Sequence, residues 1–174
     1  MKNNWYVLTG GPSSGKTTTL AALEKEKYKV IYEAARFLID EEMKKGKTLE
    51  EIRKDELSFQ KKVLDIKLDW EKLLNKNKLV FLERGIPDSI AYYQKCGIFN
   101  DLKLKKAIDN CFYKKVFLLE MMEYEKDYAR TETLEEAKEL EKLLEKGYKD
   151  LDIEVIRVPP MSVNKRVKFI LDNL

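Results

Sequence analysis

Apolar and polar positions alternate along this chain in two rhythms. Five short apolar runs, WYVL at 5–8, YKVIY at 28–32, LVFL at 79–82, VFLL at 116–119 and IEVIRV at 153–158, have the length and β-branched or aromatic content of strands. Between them the pattern is helical, and the intervals are too long for hairpins. Thr48 with Glu51 forms a capping-box pattern. It opens a long helix expected to run to about Asn75, with Leu49, Ile52, Leu57, Val63, Leu64 and Trp70 among its apolar positions. Thr133 with Glu136 repeats the box before a charged helix expected to end near Gly147. Strands that alternate with helices imply a parallel sheet reached through crossovers and covered on both faces. The expectation is a single α/β domain over 1–174, a doubly wound five-stranded sheet of the P-loop NTPase fold in the order 2-3-1-4-5.

Composition narrows the chemistry more by what is missing than by what is present. The net charge of +3 is small beside 65 charged side chains, 34 basic and 31 acidic, so nothing calls for nucleic acid as a partner. No apolar run approaches the roughly 18 residues of a membrane span, nothing resembles a signal peptide, and a cytoplasmic protein is expected. Histidine is absent, which excludes Ser-His-Asp and Cys-His catalysis and removes the commonest zinc ligand. Cys96 and Cys111 lack C-x-x-C spacing. Any general base must then be a carboxylate.

Three of the seven glycines fall within TGGPSSGKTTT, directly after the first strand. Gly10, four residues, then Gly15-Lys16-Thr17 satisfy G-x-x-x-x-G-K-[ST] between a strand and a helix, the context the motif requires. In such a loop, backbone N–H groups of Gly10, Gly11, Pro12-Ser13-Ser14, Gly15 and the Lys16–Thr18 turn cradle phosphate oxygens, aided by the positive end of the helix; proline itself contributes no N–H. Lys16 reaches the β/γ-phosphates and Thr17 holds Mg²⁺. Lys16 is expected to point into an open loop and to add little to the core. A nucleoside triphosphate, ATP or GTP, with Mg²⁺ is the expected ligand.

Parallel sheets deliver functional residues at the carboxyl ends of their strands. Glu33-Ala34-Ala35-Arg36 follows the second strand and Glu83-Arg84-Gly85-Ile86-Pro87-Asp88 the third. Each brings a carboxylate, a candidate base or a water-mediated Mg²⁺ partner, followed by an arginine suited to a transferring phosphoryl. Which of Glu33 and Glu83 is the base stays open. Glu33, Arg36, Arg84 and Asp88 are candidate acceptor-binding residues. Only six of the 34 basic residues are arginine, and a guanidinium matches phosphate bidentately where lysine cannot. Arg130 lies in MEYEKDYARTET, placed as a lid near 121–133 that would close over the triphosphate. Arg53 is read as a surface residue of the long helix. Pro159 lies in VPPMSV, either a wall for the nucleotide base or a plain turn, with Ser162 capping the last helix. Tyr92 and Tyr93 read as core and rim positions, with stacking on an aromatic substrate ring as the alternative.

With these residues in view, the chain resembles the AAA-like P-loop domain shared by the nicotinamide-riboside kinase part of NadR proteins and the proteins named for a TRPL translocation defect. The resemblance rests on TGGPSSGKTT, YEAARFLIDE, FLERGIPDSIAYY, the D-x-x-R-x-E-[ST] pattern from Asp127 to Thr133, and VPPMSVNKRVKFIL. The Glu83-Arg84 pair is also similar to the acidic-Arg motif of deoxynucleoside and nucleoside monophosphate kinases. The resemblance implies a Mg²⁺- and ATP-dependent kinase for a small, nucleoside-like acceptor, with catalytic roles for Glu83 and Arg84. It also permits a slow ATPase or GTPase switch that signals to a protein or phosphoinositide partner.

Overall fold

The computed structural model describes residues 3–122 and 133–174. β1 (Trp5–Thr9) leads into α1 (Lys16–Lys25), β2 (Lys29–Ile31), α2 (Ala34–Lys44), α3 (Leu49–Arg53) and α4 (Glu56–Lys72). β3 (Val80–Glu83), α5 (Asp88–Lys95), α6 (Leu102–Asp109), β4 (Lys115–Leu119), α7 (Leu134–Lys149), β5 (Val155–Val158) and α8 (Val163–Asp172) complete the chain. The five strands pair in parallel in the expected order, β2-β3-β1-β4-β5. β1 is central, with Val7 beside Leu82 of β3 and Val116 of β4.

Alternation along β1 explains the two covered faces, since successive side chains point to opposite sides. Tyr6 and Leu8 pack with Leu20 and Leu23 of α1 and with Val167 and Ile170 of α8. Trp5 and Val7 face the other way, among Val80, Leu82, Tyr113 and Tyr148. Leu8, Leu20 and Phe81 are completely enclosed, each contributing on the order of 1.5–3 kcal/mol. No helix among the described residues is long and apolar enough to cross a membrane.

The long helix expected from Thr48 is two helices. Thr48 and Glu51 do form the reciprocal capping box, but α3 ends at Arg53 and Asp55 starts α4 afresh. Its carboxylate accepts from Ser58 N at 3.0 Å and Ser58 Oγ at 2.6 Å. A short acidic side chain that binds the backbone ahead competes with helix continuation, and at Asp55 it prevails over the unbroken apolar period. Thr133 and Glu136 also form their box. α7 then runs through Gly147 to Lys149, because this glycine sits against the Pro87 carbonyl and Ile90 inside the helix. Residues 123–132, with Arg130 and most of the expected lid, lie outside the described residues.

Candidate active site

Thr9 ends β1 and the chain turns through Gly10–Gly15 before α1 opens at Lys16. Gly15 holds φ +76° as the helix N-cap and offers no side chain to the first N–H groups, and no acidic residue occupies the first turn of α1. A Cβ at this position would also collide with Arg166 Nη1, 2.2 Å away. Arg166, buried on α8, donates from Nη1 to the carbonyls of Ser14 at 3.1 Å and Gly15 at 3.3 Å. Its Nε and Nη2 each bind the Met161 carbonyl at 3.0 Å. In a trans peptide the C=O and the next N–H point in opposite directions. Binding these carbonyls on the α8 side therefore turns the Gly15 and Lys16 N–H groups away from it.

Lys16 departs from its expected open position. It is buried and curls over its own loop, donating to Gly10 O at 3.1 Å, Gly11 O at 2.8 Å and Ser14 Oγ at 3.1 Å. Burial, then the neighbouring Arg84, push its pKa down to about 8 against the pull of Glu83, Glu33 and Asp88. Thr17 Oγ1 donates to Glu83 Oε1 at 2.8 Å, and Glu83 Oε2 is enclosed without a hydrogen-bond partner among the described residues. Burial and the nearby Glu33 raise the Glu83 pKa. Burial also acts to raise Glu33, but Arg84, Lys16 and Arg36 outweigh it and hold that carboxyl below the usual range. Two carboxylates beside one loop are thus pushed in opposite directions.

Arg84 stands between them and the scaffold. Its Nε donates to Glu33 Oε1 at 2.7 Å, its Nη1 lies 3.3 Å from Asp88 Oδ1, and its guanidinium sits 5.4 Å from the centre of the Tyr92 ring. Its backbone is held at φ +62°, a conformation an L-residue adopts at a cost and keeps only where its surroundings enforce it. Gly85 beside it is required by close approach: an added Cβ would lie 2.8 Å from Tyr148 Oη and 2.9 Å from the Tyr113 ring.

The phosphate loop and the strand-end residues open onto one cleft of about 950 Å³, solvent at its mouth included. At one end are Pro12–Thr18 of the loop; Glu33, Arg36, Glu83 and Arg84 also line it. The remaining wall comes from α2 to α5, with Ile39, Phe59, Gln60, Val63 and Tyr92. Two candidate residues fall elsewhere. Asp88 is fully buried and saturated: it accepts from Thr9 Oγ1, Tyr148 Oη and Gly85 N, so it braces the site instead of lining it. Pro159 is exposed at the end of β5 and is not part of the cleft lining.

Several lining residues, Ile39 among them, escaped the sequence reading. Arg53, expected on the surface, turns inward where α3 breaks, pairs with Glu56 at 2.6 Å and packs over Phe59. Its rarity as an arginine was the available signal. Phe59, Gln60 and Lys67 belong to α4, where Gln60 and Lys67 take buried positions in register with Val63 and Leu64. Polar residues on an apolar stripe were the signal there. Tyr93 is core, as expected, while Tyr92 faces the cleft.

Sheet order, phosphate loop and acidic-Arg strand ends together make this a P-loop domain of the kinase fold. The sequence matches the AAA domain family over residues 5–166, and the protein belongs to that family. No curated protein matches the sequence. Among solved structures, NadR protein in complex with NR superposes with a TM-score of 0.71 at 16% identity, over 97% of this chain and 49% of that one. This chain thus spans about half the length of that NadR chain. A deoxyadenosine kinase from M. mycoides, with the products dCMP and dCDP bound, gives 0.67 at 16% identity over 97% of both chains. Thymidylate kinase from Ehrlichia chaffeensis gives 0.65 at 16% identity over 99% and 98%. At such identity the likeness is one of fold.

Proposed function

We propose that this protein is a Mg²⁺- and ATP-dependent kinase that transfers the γ-phosphoryl group to a hydroxyl of a small, nucleoside-like acceptor. The observation that carries this reading is that the phosphate loop and the Glu33–Arg84 pair line the same cleft as Ile39, Phe59, Val63 and Tyr92. A transferase needs room for an acceptor beside the phosphates; a hydrolysing switch does not. Lys16 and the loop amides bind the phosphates. Thr17 and, through water, Glu83 suit a Mg²⁺ ion arriving with the nucleotide, since Glu83 Oε2 is buried without a partner among the described residues. That ion would supply neutralisation of phosphate charge. Glu33, kept ionised by its cationic neighbours, accepts the proton of the acceptor hydroxyl as its oxygen attacks the γ-phosphorus and ADP departs. Arg84, already oriented, stabilises charge on the transferring group, and Arg130 is proposed to join it.

The test is incubation with MgATP and a panel of nucleosides and other hydroxyl metabolites, following ADP and phosphorylated product by mass spectrometry. Transfer to a panel member, lost in Glu33→Gln while ATP still binds, is the expected result. ATP hydrolysis to phosphate with no phosphorylated product from any member would favour the switch.

A further inference from the structure

α4 presents a buried stripe to the cleft, and two of its members are out of character. Gln60 and Lys67 are 4% and 6% exposed and lie about two turns apart on the face that carries Val63 and Leu64. Gln60 Nε2 donates to Glu56 Oε1 at 2.8 Å. The ammonium of Lys67 donates to Gly85 O at 2.8 Å and, weakly, to Ser89 Oγ at 3.4 Å. It forms no ion pair among the described residues. Asp88, Glu33 and Glu71 act on it only from a distance.

An ammonium has three donors. Two are used here on neutral oxygens, and the third has no partner among the described residues. An enclosed cation without a carboxylate is an expensive arrangement that an apolar side chain of similar length would avoid. The Gly85 carbonyl and the Ser89 hydroxyl nonetheless fix this charge in place. Lys67 lines the same cleft as Gln60, Phe59 and Tyr92, so the remaining donor belongs to a chamber walled by flat aromatic rings.

We propose that Lys67 is a specificity-determining residue of the acceptor chamber, donating its remaining N–H to a carbonyl or carboxylate oxygen on the ring of the acceptor. The acceptor class is then a hydroxylated molecule whose planar head carries an oxygen at that edge, not an amino group. An amino group would set donor against donor and leave the buried ammonium unmet. This rests on the kinase reading, which it refines by naming the chemistry of the acceptor.

Two matched probe pairs test it, inosine against adenosine and uridine against cytidine, each differing by an oxygen or an amino group at one ring position. Binding is measured by calorimetry on the whole protein with a non-hydrolysable ATP analogue. The wild type is expected to favour the oxygen-bearing member of at least one pair by on the order of ten- to hundredfold, the range of a hydrogen bond to a charged group. Lys67→Met should reduce that preference to within about threefold while leaving affinity for the ATP analogue unchanged, which also shows that the variant folds. Lys67→Arg, which retains a donor, should keep the order of preference. Preference for the amino member, discrimination that survives in Lys67→Met, or failure of both oxygen-bearing probes to bind overturns the assignment. The kinase reading is scored separately by ADP formation: transfer to nucleosides without oxygen preference would leave it standing and remove Lys67 from acceptor choice.

Discussion

Lys16 makes nucleotide binding depend on pH in a calculable way. In the free protein its ammonium is enclosed and, among the described residues, bound to two carbonyls and a hydroxyl, and burial followed by Arg84 brings its pKa down to about 8. Bound to a triphosphate it faces several negative charges and stays protonated well beyond that value. A lysine whose free-state pKa is depressed and whose bound-state pKa is restored must take up a proton on binding whenever the pH exceeds the free-state value. Affinity is then level below about pH 8 and weakens roughly tenfold for each unit above it. Between about pH 7 and about pH 9 the neutral fraction rises from about one tenth to about nine tenths, and the loss amounts to about 1.4 kcal/mol.

Calorimetry with a non-hydrolysable MgATP analogue, in two buffers of different ionisation enthalpy, measures both quantities at once. Proton uptake should climb from near zero at about pH 7 to about half a proton at about pH 8 and nearly one at about pH 9. The terminal phosphate, with its last ionisation near pH 6, is already charged throughout this window. Lys16→Met should bind weakly and without this pH dependence. A constant dissociation constant with no proton uptake up to about pH 9 would refute the reasoning, because Lys16 would then be fully charged in its buried resting position.

Arg84→Lys should lower turnover by about 10²–10³-fold while changing ATP affinity by less than about threefold, because a point charge cannot replace a guanidinium held by Glu33, Asp88 and Tyr92. Steady-state kinetics and calorimetry decide this, and equal losses in both would return Arg84 to a structural ion pair. Glu71 gives a stability test outside the cleft chemistry. Burial raises its pKa to about 7 against the Tyr113 hydroxyl, which donates to it at 2.5 Å, and the attraction of Lys67. A carboxyl raised in the folded state favours the protonated form, so its contribution is complete below the ordinary value of 4.5 and is lost as pH rises through about 7. Part of the residue is solvent-exposed, so the loss is about 2–3 kcal/mol at most. Urea unfolding should show Glu71→Gln abolishing this decline, and an unchanged slope would locate the pH dependence elsewhere.

The phosphate loop was legible because its requirements are local: glycines at fixed offsets, a lysine and a threonine, a strand before and a helix after. The strand ends were legible for a related reason, since parallel topology sends Glu33 and Glu83 to the same edge. What stayed hidden depended on tertiary choices. Nothing in the apolar period around Asp55 announces that its carboxylate will restart the helix and thereby swing Arg53 into the cleft. Asp88 carries the residue type of an acceptor ligand, and only the approach of Thr9 and Tyr148 from distant parts of the chain reveals a brace. Arg166 was invisible as a partner of the phosphate loop because 151 residues separate it from Gly15, and no local pattern encodes that contact.

The brace at Asp88 explains how a strained arginine can be held ready for the catalytic role proposed for it. Asp88 draws Thr9 from the end of β1, Gly85 N from the turn after β3 and Tyr148 from the last turn of α7 onto one carboxylate. Tyr148 also accepts from Gly85 N at 3.1 Å, and the Tyr113 hydroxyl accepts from Ile86 N at 2.9 Å. The peptide links following Arg84 are therefore held by side chains from β4's approach and from α7, which keeps the left-handed turn closed without help from substrate. The guanidinium is consequently held in place by the fold itself, and in the kinase proposed above reorganisation that would otherwise be needed during phosphoryl transfer is completed when the chain folds. The same brace links the Thr133-capped helix to the turn after the strand that carries Glu83, through Tyr148 and Gly85.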